Sequence, residues 1–324
     1  MTITQLGEFG LISRITARLA AGAGTAVPAT DRPPVLLGPG DDAAVVAAPD
    51  GRVVVTTDVL VAGRHFRRDW ASAADIGHRA AAANLADIAA MGARPTALVV
   101  ALCTPPDLEI DWVEGLADGM AAEAGTVGAA VVGGDISVSP TLTIAVTALG
   151  DLGGRDPVTR AGARAGDLVA MAGRVGHAAA GLTVLSRGFR SPKLLVEAYR
   201  RPQVPYAAGP VAAEFGATAM IDVSDGLLAD AGHVATASGV AIDLRRDAFP
   251  LPGQMRDVAE ALGADPYQWI LAGGDDHALV ATFPATTRLP DGWQVIGQVH
   301  PGSGVTVDGE PHKGPAGWDH LRGT

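Results

Sequence analysis

Residues 220–230 read MIDVSDGLLAD, an apolar strand that runs into an aspartate-rich turn and then into a helix. Asp222, Ser224 and Asp225 follow the strand, and Gly226 opens a helix whose N-terminal amides face an anion or a capped side chain. Simple N-capping by Ser224 or Asp225 is the alternative explanation. With strands and helices alternating around it, this stretch predicts an α/β layer domain in the second half of the chain.

Acidic turns of the same kind recur in both halves of the chain. They are GPGDDAAVV at 38–46, VVVTTDVL at 53–60, NLADIAAMGA at 84–93, VVGGDIS at 131–137 and LAGGDDHAL at 271–279. Carboxylates brought together at low effective dielectric repel one another strongly, so a cation is expected among them. Hard divalent cations with oxygen ligands match this set of side chains.

Two of these motifs lie in the first part of the chain. Thr56, Thr57 and Asp58 end a buried strand, where a carboxylate and hydroxyls make a common Mg²⁺ half-site. An aspartate that caps a turn is the alternative. Asn84 and Asp87 are three residues apart on a helix and therefore share one face, which predicts a partner for both; solvation at a helix edge is the alternative.

Two further motifs place acids after paired glycines. In VVGGDIS the glycines let the backbone approach a ligand while Asp135 reaches a cation, although a hairpin turn before residues 141–149 explains them equally well. In LAGGDDHAL the residues Asp275, Asp276 and His277 cluster after Gly-Gly. A histidine in such a place is by itself more often an ordinary surface or turn residue.

The chain has only two lysines, Lys193 and Lys313, and no G-x-x-x-x-G-K-[ST] motif. A nucleotide site here therefore does not rest on a P-loop lysine or on the strand lysine of protein kinases. Metal ions, arginines and backbone amides are expected to neutralise the phosphates.

Composition limits the class of protein. The 324 residues, 48% of them apolar, suffice for two domains with real cores. A net charge of −11 disfavours a nucleic-acid or anionic-membrane partner, whereas an anionic small molecule bridged by metal fits. The single Cys103 lies in an apolar run and is expected to be buried. With no disulfide framework, no signal-peptide pattern at the N-terminus and no membrane-length apolar run, we expect a cytoplasmic protein.

Hydrophobic periodicity predicts a mixed first half and an α/β second half, joined by a Gly- and Pro-rich junction at 151–167. The predicted domains are residues 1–150 and 151–324. Helices are predicted at 8–21, 74–91, 108–124, 176–187, 193–200, 206–215 and 226–238. Strands are predicted at 35–37, 43–48, 53–61, 96–103, 129–136, 141–149, 168–171, 217–221, 240–244, 278–283 and 293–299.

Taken in order, GPGDDAAVV, TTDVLVAGRHF, NLADIAAMGA, VVGGD, TRAGARAGD, IDVSDGLLAD, GGDDHAL and the terminal GWDH resemble the thiamine-monophosphate kinase family over about residues 8–320. That family shares its fold with aminoimidazole ribonucleotide synthetase, selenophosphate synthetase and a hydrogenase-maturation protein. The aspartate layout identifies this superfamily, and the segments VAGRHF and GWDH narrow the resemblance to the kinase.

The resemblance implies a mixed α/β, two-domain aminoimidazole ribonucleotide synthetase-like fold. Its N-terminal domain, with a mixed sheet, binds ATP and metal and pairs in a homodimer, and its C-terminal α/β layer domain completes the site. The implied reaction is ATP-dependent phosphorylation of thiamine monophosphate to thiamine diphosphate, by direct in-line transfer of the γ-phosphoryl group with several Mg²⁺ ions in thiamine diphosphate biosynthesis.

Motif matching also implies roles for individual residues, with no side chain acting as a covalent or acid–base catalyst. The implied metal ligands are Asp42, Thr56, Thr57, Asp58, Asp87, Asp135, Asp222 and Asp225. The implied ATP contacts are Gly134, Asp135, Arg160 and Ser224, and the implied thiamine phosphate contacts are His65, Asp275 and Trp318. Many relatives have Glu-Asp-Tyr-Glu at positions 275–278, so the carboxylate at 275 is one methylene shorter in this chain.

Two other functions compete with this interpretation. One is another ATP-dependent enzyme of the superfamily, although the early reactive Cys with a Lys of selenophosphate synthetase and the C-terminal Cys of the hydrogenase-maturation protein are both missing. The other is a non-catalytic protein that binds divalent cations or nucleotides, in which the acidic turns only hold the fold. Metal-dependent ATP consumption stimulated by thiamine monophosphate distinguishes catalysis from binding.

Overall fold

The structure is a computed structural model, and it describes residues 2–6, 8–22, 35–38 and 43–318. The chain divides into two compact units. The first comprises Met1–Ile88 and Ala93–Gly154, and the second comprises Ala89–Gly92 and Arg155–Thr324. Apart from the short segment Ala89–Gly92, the boundary between the two units therefore falls after Gly154, within the Gly- and Pro-rich stretch 151–167.

The first unit is built on a four-stranded mixed sheet with the order β3-β6-β4-β5, in which only β4 and β5 are parallel. The mixed sheet expected from the sequence is thus confirmed. A separate antiparallel pair joins β1 to β2. The strands are β1 (Val35–Leu37), β2 (Val45–Val46), β3 (Val54–Val61), β4 (Arg94–Thr104), β5 (Ala130–Val138) and β6 (Thr143–Asp151), and the helices are α1 (Ile3–Leu6), α2 (Glu8–Gly22), α3 (Ala73–Ala90) and α4 (Ile110–Thr126).

Helices α3 and α4 pack closely because glycines lie at their contact. A Cβ on Gly77 would stand 2.1 Å from the carbonyl oxygen of Leu116, and one on Gly119 would stand 2.0 Å from that of Ala74. Most residues of α3 are buried, and many of them are alanine. Asn84 is thereby held in a densely packed setting, and Asp87 on the same helix is half-buried.

The other face of the sheet in the first unit is exposed. Val55, Val59 and Val99 are 63%, 47% and 39% exposed, and they come from β3 and β4. Cys103 is in register with Thr143 and is only partly buried, so the prediction of a buried thiol is wrong. We call this surface the open sheet face.

The second unit carries a seven-stranded sheet of order β13-β12-β9-β11-β7-β10-β8, antiparallel except for the β12–β9 pair. Its strands are β7 (Leu168–Ala172), β8 (Ala219–Asp222), β9 (Ala241–Leu244), β10 (Leu279–Phe283), β11 (Trp293–His300), β12 (Gly304–Val307) and β13 (Glu310–Pro311). Its helices are α5 (His177–Ser186), α6 (Lys193–Arg200), α7 (Ala208–Glu214), α8 (Leu227–Ser238), α9 (Gly253–Leu262) and α10 (Pro266–Ala272), with a 3₁₀ turn at Arg246–Ala248.

The core of the second unit lies between this sheet and its helices. Leu227 and Ala231 of α8 and Leu271 of α10 pack with Ile221 of β8 and Val280 of β10. This packing fixes the end of β8, the start of α8 and the end of α10 against one another. No helix of the described segments is both long and apolar enough to cross a membrane.

Candidate active site

Two loops of the second unit are joined by backbone hydrogen bonds at the end of β8. The amide of Asp275 donates to the carbonyl of Ser224 at 2.9 Å, and the amide of His277 donates to that of Val223 at 3.0 Å. Gly274 allows this approach, because a Cβ there would stand 2.0 Å from the Ser224 oxygen. The motifs IDVSDG and GGDDH, separate in sequence, therefore form one acidic loop pair.

The backbone of this loop pair is strained. Asp275 and His277 have φ angles of 67° and 52°, in the left-handed region that side chains with a Cβ disfavour. Such conformations cost on the order of 1–3 kcal/mol each and concentrate at functional sites.

His277 is buried beside Asp222. Its Nδ1 lies 2.9 Å from Oδ2 of Asp222, and the two side chains are 7% and 5% exposed. The sequence-based view of an ordinary surface histidine is therefore wrong. Asp222 has a fixed orientation as a consequence, since one of its oxygens is bound to the imidazole.

Asp230, in the first turn of α8, organises the Ser224–Gly226 loop. Its Oδ2 accepts the backbone N–H groups of Ser224, Asp225 and Gly226 at 3.0, 3.1 and 3.1 Å. The N-cap of α8 is Gly226, and no side chain caps the helix. The alternative explanation, simple N-capping by Ser224 or Asp225, is therefore wrong. These three amides are therefore occupied by Asp230.

Burial raises the pKa of Asp230 to about 7, and the neighbouring carboxylates of Asp222 and Asp225 add to the rise. The amide hydrogen bonds from the loop oppose this effect. Burial is the larger cause of this rise, and the negative charge of the two neighbouring carboxylates is the smaller one.

Asp276 is the fully buried member of the second loop. Its Oδ1 accepts the N–H of Ala178 in the first turn of α5 at 3.0 Å, while Oδ2 has no hydrogen-bond partner within the described parts of the chain. Burial raises the pKa of Asp276 to about 7. This bond ties the loop between Asp275 and His277 to the start of α5.

The C-terminal segment adds Trp318 to the loop pair. The amide of Trp318 donates to the carbonyl of Asp225 at 2.9 Å, and Ala229 donates to the carbonyl of Ala316 at 3.1 Å. The Trp318 side chain is 45% exposed. The indole therefore stands beside the acidic loops with a face accessible to a ligand.

Arg160 lies along the outer edge of β8. The carbonyl of its neighbour Thr159 accepts the N–H of Met220 at 3.0 Å, and the carbonyl of Arg160 itself accepts the hydroxyl of Ser238. The residue is exposed. Its backbone is thus fixed to the second unit while its cationic end faces solvent.

A second group of predicted residues lies in the first unit, where β3 meets α3. The Thr56 hydroxyl donates to Oδ2 of Asp87 at 2.7 Å, and the amide of Asp58 donates to Oδ1 of Asn84 at 3.0 Å. Both helical residues therefore bond to β3, and because Asn84 is buried, solvation at a helix edge does not describe it. Thr56, Asp58, Asn84 and Asp87 form one polar group.

The structure does not bring every predicted residue of this unit to that group. Thr57 points to the opposite face, where its hydroxyl donates to the carbonyl of Val146 at 3.0 Å. Asp135 is in register with Ala101, on the open sheet face, while Gly134 is in register with Val100. Both lie inside β5, and β5 does not pair with β6, so the hairpin-turn explanation of VVGGDIS is wrong.

The remaining predicted residues are His65 and Asp42. Nδ1 of His65 accepts the N–H of Val61 at 2.9 Å, which fixes the imidazole over the turn that follows β3. Asp42 and the rest of its GPGDD motif from Pro39 onward lie outside the described residues.

The oxygen atoms of the acidic loop pair are of the kind that binds a divalent cation. In the described ranges no three His, Cys, Asp or Glu residues converge into a ready-made cage. The donors around Asp222 are instead carboxylates and a hydroxyl from Ser224, Asp225 and Asp275, all hard oxygen ligands. Mg²⁺ is commonly held by one or two carboxylates together with substrate phosphates and water, so these residues fit it.

Sequence reasoning missed two residues that shape this site, Asp230 and Asp276, and misjudged His277. All three lie inside the quoted motifs. Asp230 could have been found from its spacing, because a side chain four residues after the helix start at Gly226 lies over the first turn of the helix. Nothing in the sequence distinguishes the buried Asp276 from the partly exposed Asp275.

Comparisons with known proteins agree on one family. Residues 40–152 match the model of the AIR synthase related protein, N-terminal domain. A thiamine-monophosphate kinase of Mycobacterium tuberculosis is 49% identical over 322 residues, which cover 99% of this chain and 93% of the relative.

Two solved structures resemble this chain along nearly all of its length. The thiamine-monophosphate kinase of Stenotrophomonas maltophilia K279a has a TM-score of 0.81 at 36% identity, covering 94% of this chain and 98% of that one. AaThiL complexed with AMPPCP and TMP has a TM-score of 0.78 at 33% identity, covering 99% of both chains.

Proposed function

The chain belongs to the thiamine-monophosphate kinase family, and from that premise we propose how it transfers a phosphoryl group from ATP to thiamine monophosphate. The γ-phosphoryl group passes directly and in line to the phosphate of thiamine monophosphate, which gives thiamine diphosphate. A phosphate monoester is largely ionised near neutral pH, so its oxygen attacks without a strong general base. Positioning and charge neutralisation then supply most of the acceleration.

The observation that carries this proposal is the convergence at the end of β8. Backbone hydrogen bonds of 2.9–3.0 Å join the segments that carry Ser224, Asp225, Asp275 and Trp318, next to Asp222 at the end of β8. Acidic side chains, a hydroxyl and an aromatic ring are thereby carried by adjacent segments. They suit a phosphate-bound cation on one side and a cationic heteroaromatic ring on the other.

The proposed roles follow the motifs. Mg²⁺ ions, when bound, neutralise the phosphates and lower the repulsion between two anions. Residues proposed to hold them are Asp42, Thr56, Thr57, Asp58, Asp87, Asp135, Asp222 and Asp225. Those proposed to meet ATP are Gly134, Asp135, Arg160 and Ser224, and those proposed to meet thiamine monophosphate are His65, Asp275 and Trp318. Thr57 and Asp135 enter this proposal with their side chains on the open sheet face.

The stereochemistry of transfer tests the proposed mechanism. ATP made chiral at the γ-phosphorus is incubated with thiamine monophosphate and Mg²⁺, and the configuration of the transferred group is determined. Inversion is the expected result of a single in-line transfer. Retention would mean two transfers through a covalent phosphoenzyme and would contradict the mechanism. A parallel reaction with excess EDTA is expected to give no product.

We also propose a homodimer in which the sheet of the first unit pairs with that of a second copy through the valines of the open sheet face. The face presents branched apolar residues, including Val55, Val59 and Val99, which are costly to leave in water. Val59→Asp is expected to convert the dimer to monomer in sedimentation velocity. Phe215→Asp, an equally apolar and 45% exposed position in the second unit, is the matched control and is expected to leave the dimer intact. A Val59→Asp variant that stays dimeric would contradict this interface.

Thiamine monophosphate and ATP are the partners of this enzyme, and neither nucleic acid nor a membrane is proposed as a partner. A cytoplasmic location remains a prediction from composition. A non-catalytic nucleotide-binding protein is disfavoured by the family membership, and the EDTA-controlled product assay distinguishes it from a kinase.

A further inference from the structure

We infer that His277 is a positioning residue for the cation-binding carboxylate of Asp222, an inference that rests on the proposed function. The geometry gives the reason: Nδ1 of His277 lies 2.9 Å from Oδ2 of Asp222, in a pair that is almost completely buried. A donor at Nδ1 holds one carboxylate oxygen and leaves the other to face a cation. Partners of this kind orient ligands and tune their affinity for metal.

The backbone is arranged to deliver this imidazole. His277 has a φ of 52°, and its amide is held by the carbonyl of Val223, the residue that follows Asp222. Asp222 itself ends β8 in register with Leu279, two residues beyond His277. Three successive constraints therefore place one ring against one carboxylate, at a strained residue that a purely space-filling role does not require.

The charges nearby explain why Asp222 needs such a partner. Burial raises the pKa of the Asp230 carboxyl, and the nearby negative charges of Asp222 and Asp225 raise it further. Without a hydrogen-bond donor, the buried Asp222 would rotate toward any available amide or water. His277 holds the Asp222 carboxylate in a single orientation before a cation binds, so binding does not have to order this side chain.

The test compares two substitutions at position 277. His277→Asn keeps a nitrogen donor near the position of Nδ1 and tolerates the left-handed backbone, whereas His277→Phe keeps an aromatic ring but removes the donor. For each variant the Mg²⁺ concentration for half-maximal rate, kcat at saturating Mg²⁺ and the KM for ATP are measured. Mn²⁺ binding without substrates is followed by electron paramagnetic resonance.

We expect His277→Phe to weaken Mn²⁺ binding and to raise the half-maximal Mg²⁺ concentration by about tenfold, with kcat largely recovered at saturating Mg²⁺. His277→Asn is expected to stay within about threefold of wild type in both measurements. Wild-type Mn²⁺ binding in His277→Phe, or an equal loss in both variants, would overturn the inference.

Two further arms keep the result interpretable. His78 makes the same kind of contact with Glu123 at 2.7 Å, away from all proposed ligands, so His78→Phe is the matched control and is expected to leave metal binding unchanged. Asp222→Asn tests the premise: unaltered Mn²⁺ binding there would reject Asp222 as a ligand. An effect in Asp222→Asn with none in His277→Phe would reject only the role of His277.

If His277→Phe does not fold, the tautomer of wild-type His277 decides the question. A long-range ¹H–¹⁵N spectrum is expected to show a proton on Nδ1 before and after Mg²⁺ is added, with a shift of its resonance on addition. A ring without a proton on Nδ1, or a resonance that does not respond to Mg²⁺, would overturn the inference.

Discussion

Three buried side chains determine how the acidic loops of the second unit are held. Asp230 gathers three loop amides, His277 binds Asp222, and Asp276 binds the first turn of α5. None of them needs to touch a substrate for its effect. Because these bonds fix the loops, the backbone that carries Asp225 and Asp275 is positioned before any ligand binds.

Asp276 makes stability depend on pH in a direction that can be worked out. Its folded pKa is about 7, above the ordinary 3.8, so the native state keeps a proton that the unfolded chain loses between these values. The stability that this group contributes is present in full below about pH 4 and is lost as the pH rises through 7. Asp276→Asn, a neutral side chain at all pH values, is therefore expected to gain at least about 1 kcal/mol on wild type between pH 5 and pH 8.

Denaturant unfolding of wild type and Asp276→Asn at several pH values measures this difference. Asp291→Asn, at an exposed turn of the same unit, is the control and is expected to show a constant difference from wild type. A gap between Asp276→Asn and wild type that does not change from pH 5 to pH 8 would show that Asp276 does not titrate in this way.

Trp318 is expected to serve one substrate and not the other. An aromatic face attracts a cationic heteroaromatic ring by about 0.5–2 kcal/mol, which corresponds to about twofold to thirtyfold in affinity. Trp318→Ala should therefore raise the KM for thiamine monophosphate by roughly tenfold and that for ATP by less than about twofold. Phe189→Ala, at a 58% exposed aromatic of the same unit, is the control. Equal increases in both KM values would reject the proposed role.

At the scale of elements, the site depends on where β8, α8 and α10 end. Sequence periodicity predicted β8 and α8 well, because β-branched and apolar runs stop at marked Gly and Asp residues. It assigned nothing to residues 245–277, where α9 and α10 lie. The residues at the boundaries of these two helices, Pro252, Gly263 and Pro266, are typical of loops. Asp265 nevertheless caps α10, because its side chain accepts the amide N–H of Tyr267. Short helices that pack by tertiary contact leave little periodic signal.

The close approach of the two acidic loops can be tested through glycine. Gly274→Ala puts a Cβ 2.0 Å from the carbonyl oxygen of Ser224, so the 273–277 segment must move away. We expect kcat/KM to fall by about a hundredfold, as a displacement near 1 Å can cause. Full activity in this variant would mean that the loop contact is dispensable.

Gly232→Ala is the matched control for that substitution. Gly232 lies within α8, and a Cβ there would stand 3.9 Å from Cγ2 of Val305, an ordinary van der Waals contact. The change is expected to stabilise the protein by up to about 1 kcal/mol and to leave activity unchanged, since alanine favours helix more than glycine does. A thermal melt and a rate measurement on the same sample check both statements.

At the scale of the whole molecule, two units each present part of the predicted residue set. The sequence was sufficient to identify both groups, because acids beside glycine and hydroxyl residues stand out against an Ala- and Val-rich chain. It did not resolve which face each side chain takes: Thr57 and Asp135 lie on the open sheet face, while Thr56 and Asp58 face α3. Strand register and bulges decide such faces, and they are set by pairing rather than by local sequence.

This chain belongs to the thiamine-monophosphate kinase family, and we propose that it phosphorylates thiamine monophosphate through its acidic loops. The most direct measurement incubates the purified protein with Mg²⁺ and ATP, together with either thiamine or thiamine monophosphate, and separates and identifies the products. We predict thiamine diphosphate from the monophosphate, no phosphorylated product from thiamine, and one ADP for each diphosphate formed. Phosphorylation of thiamine itself, or no product from the monophosphate, would contradict the claim.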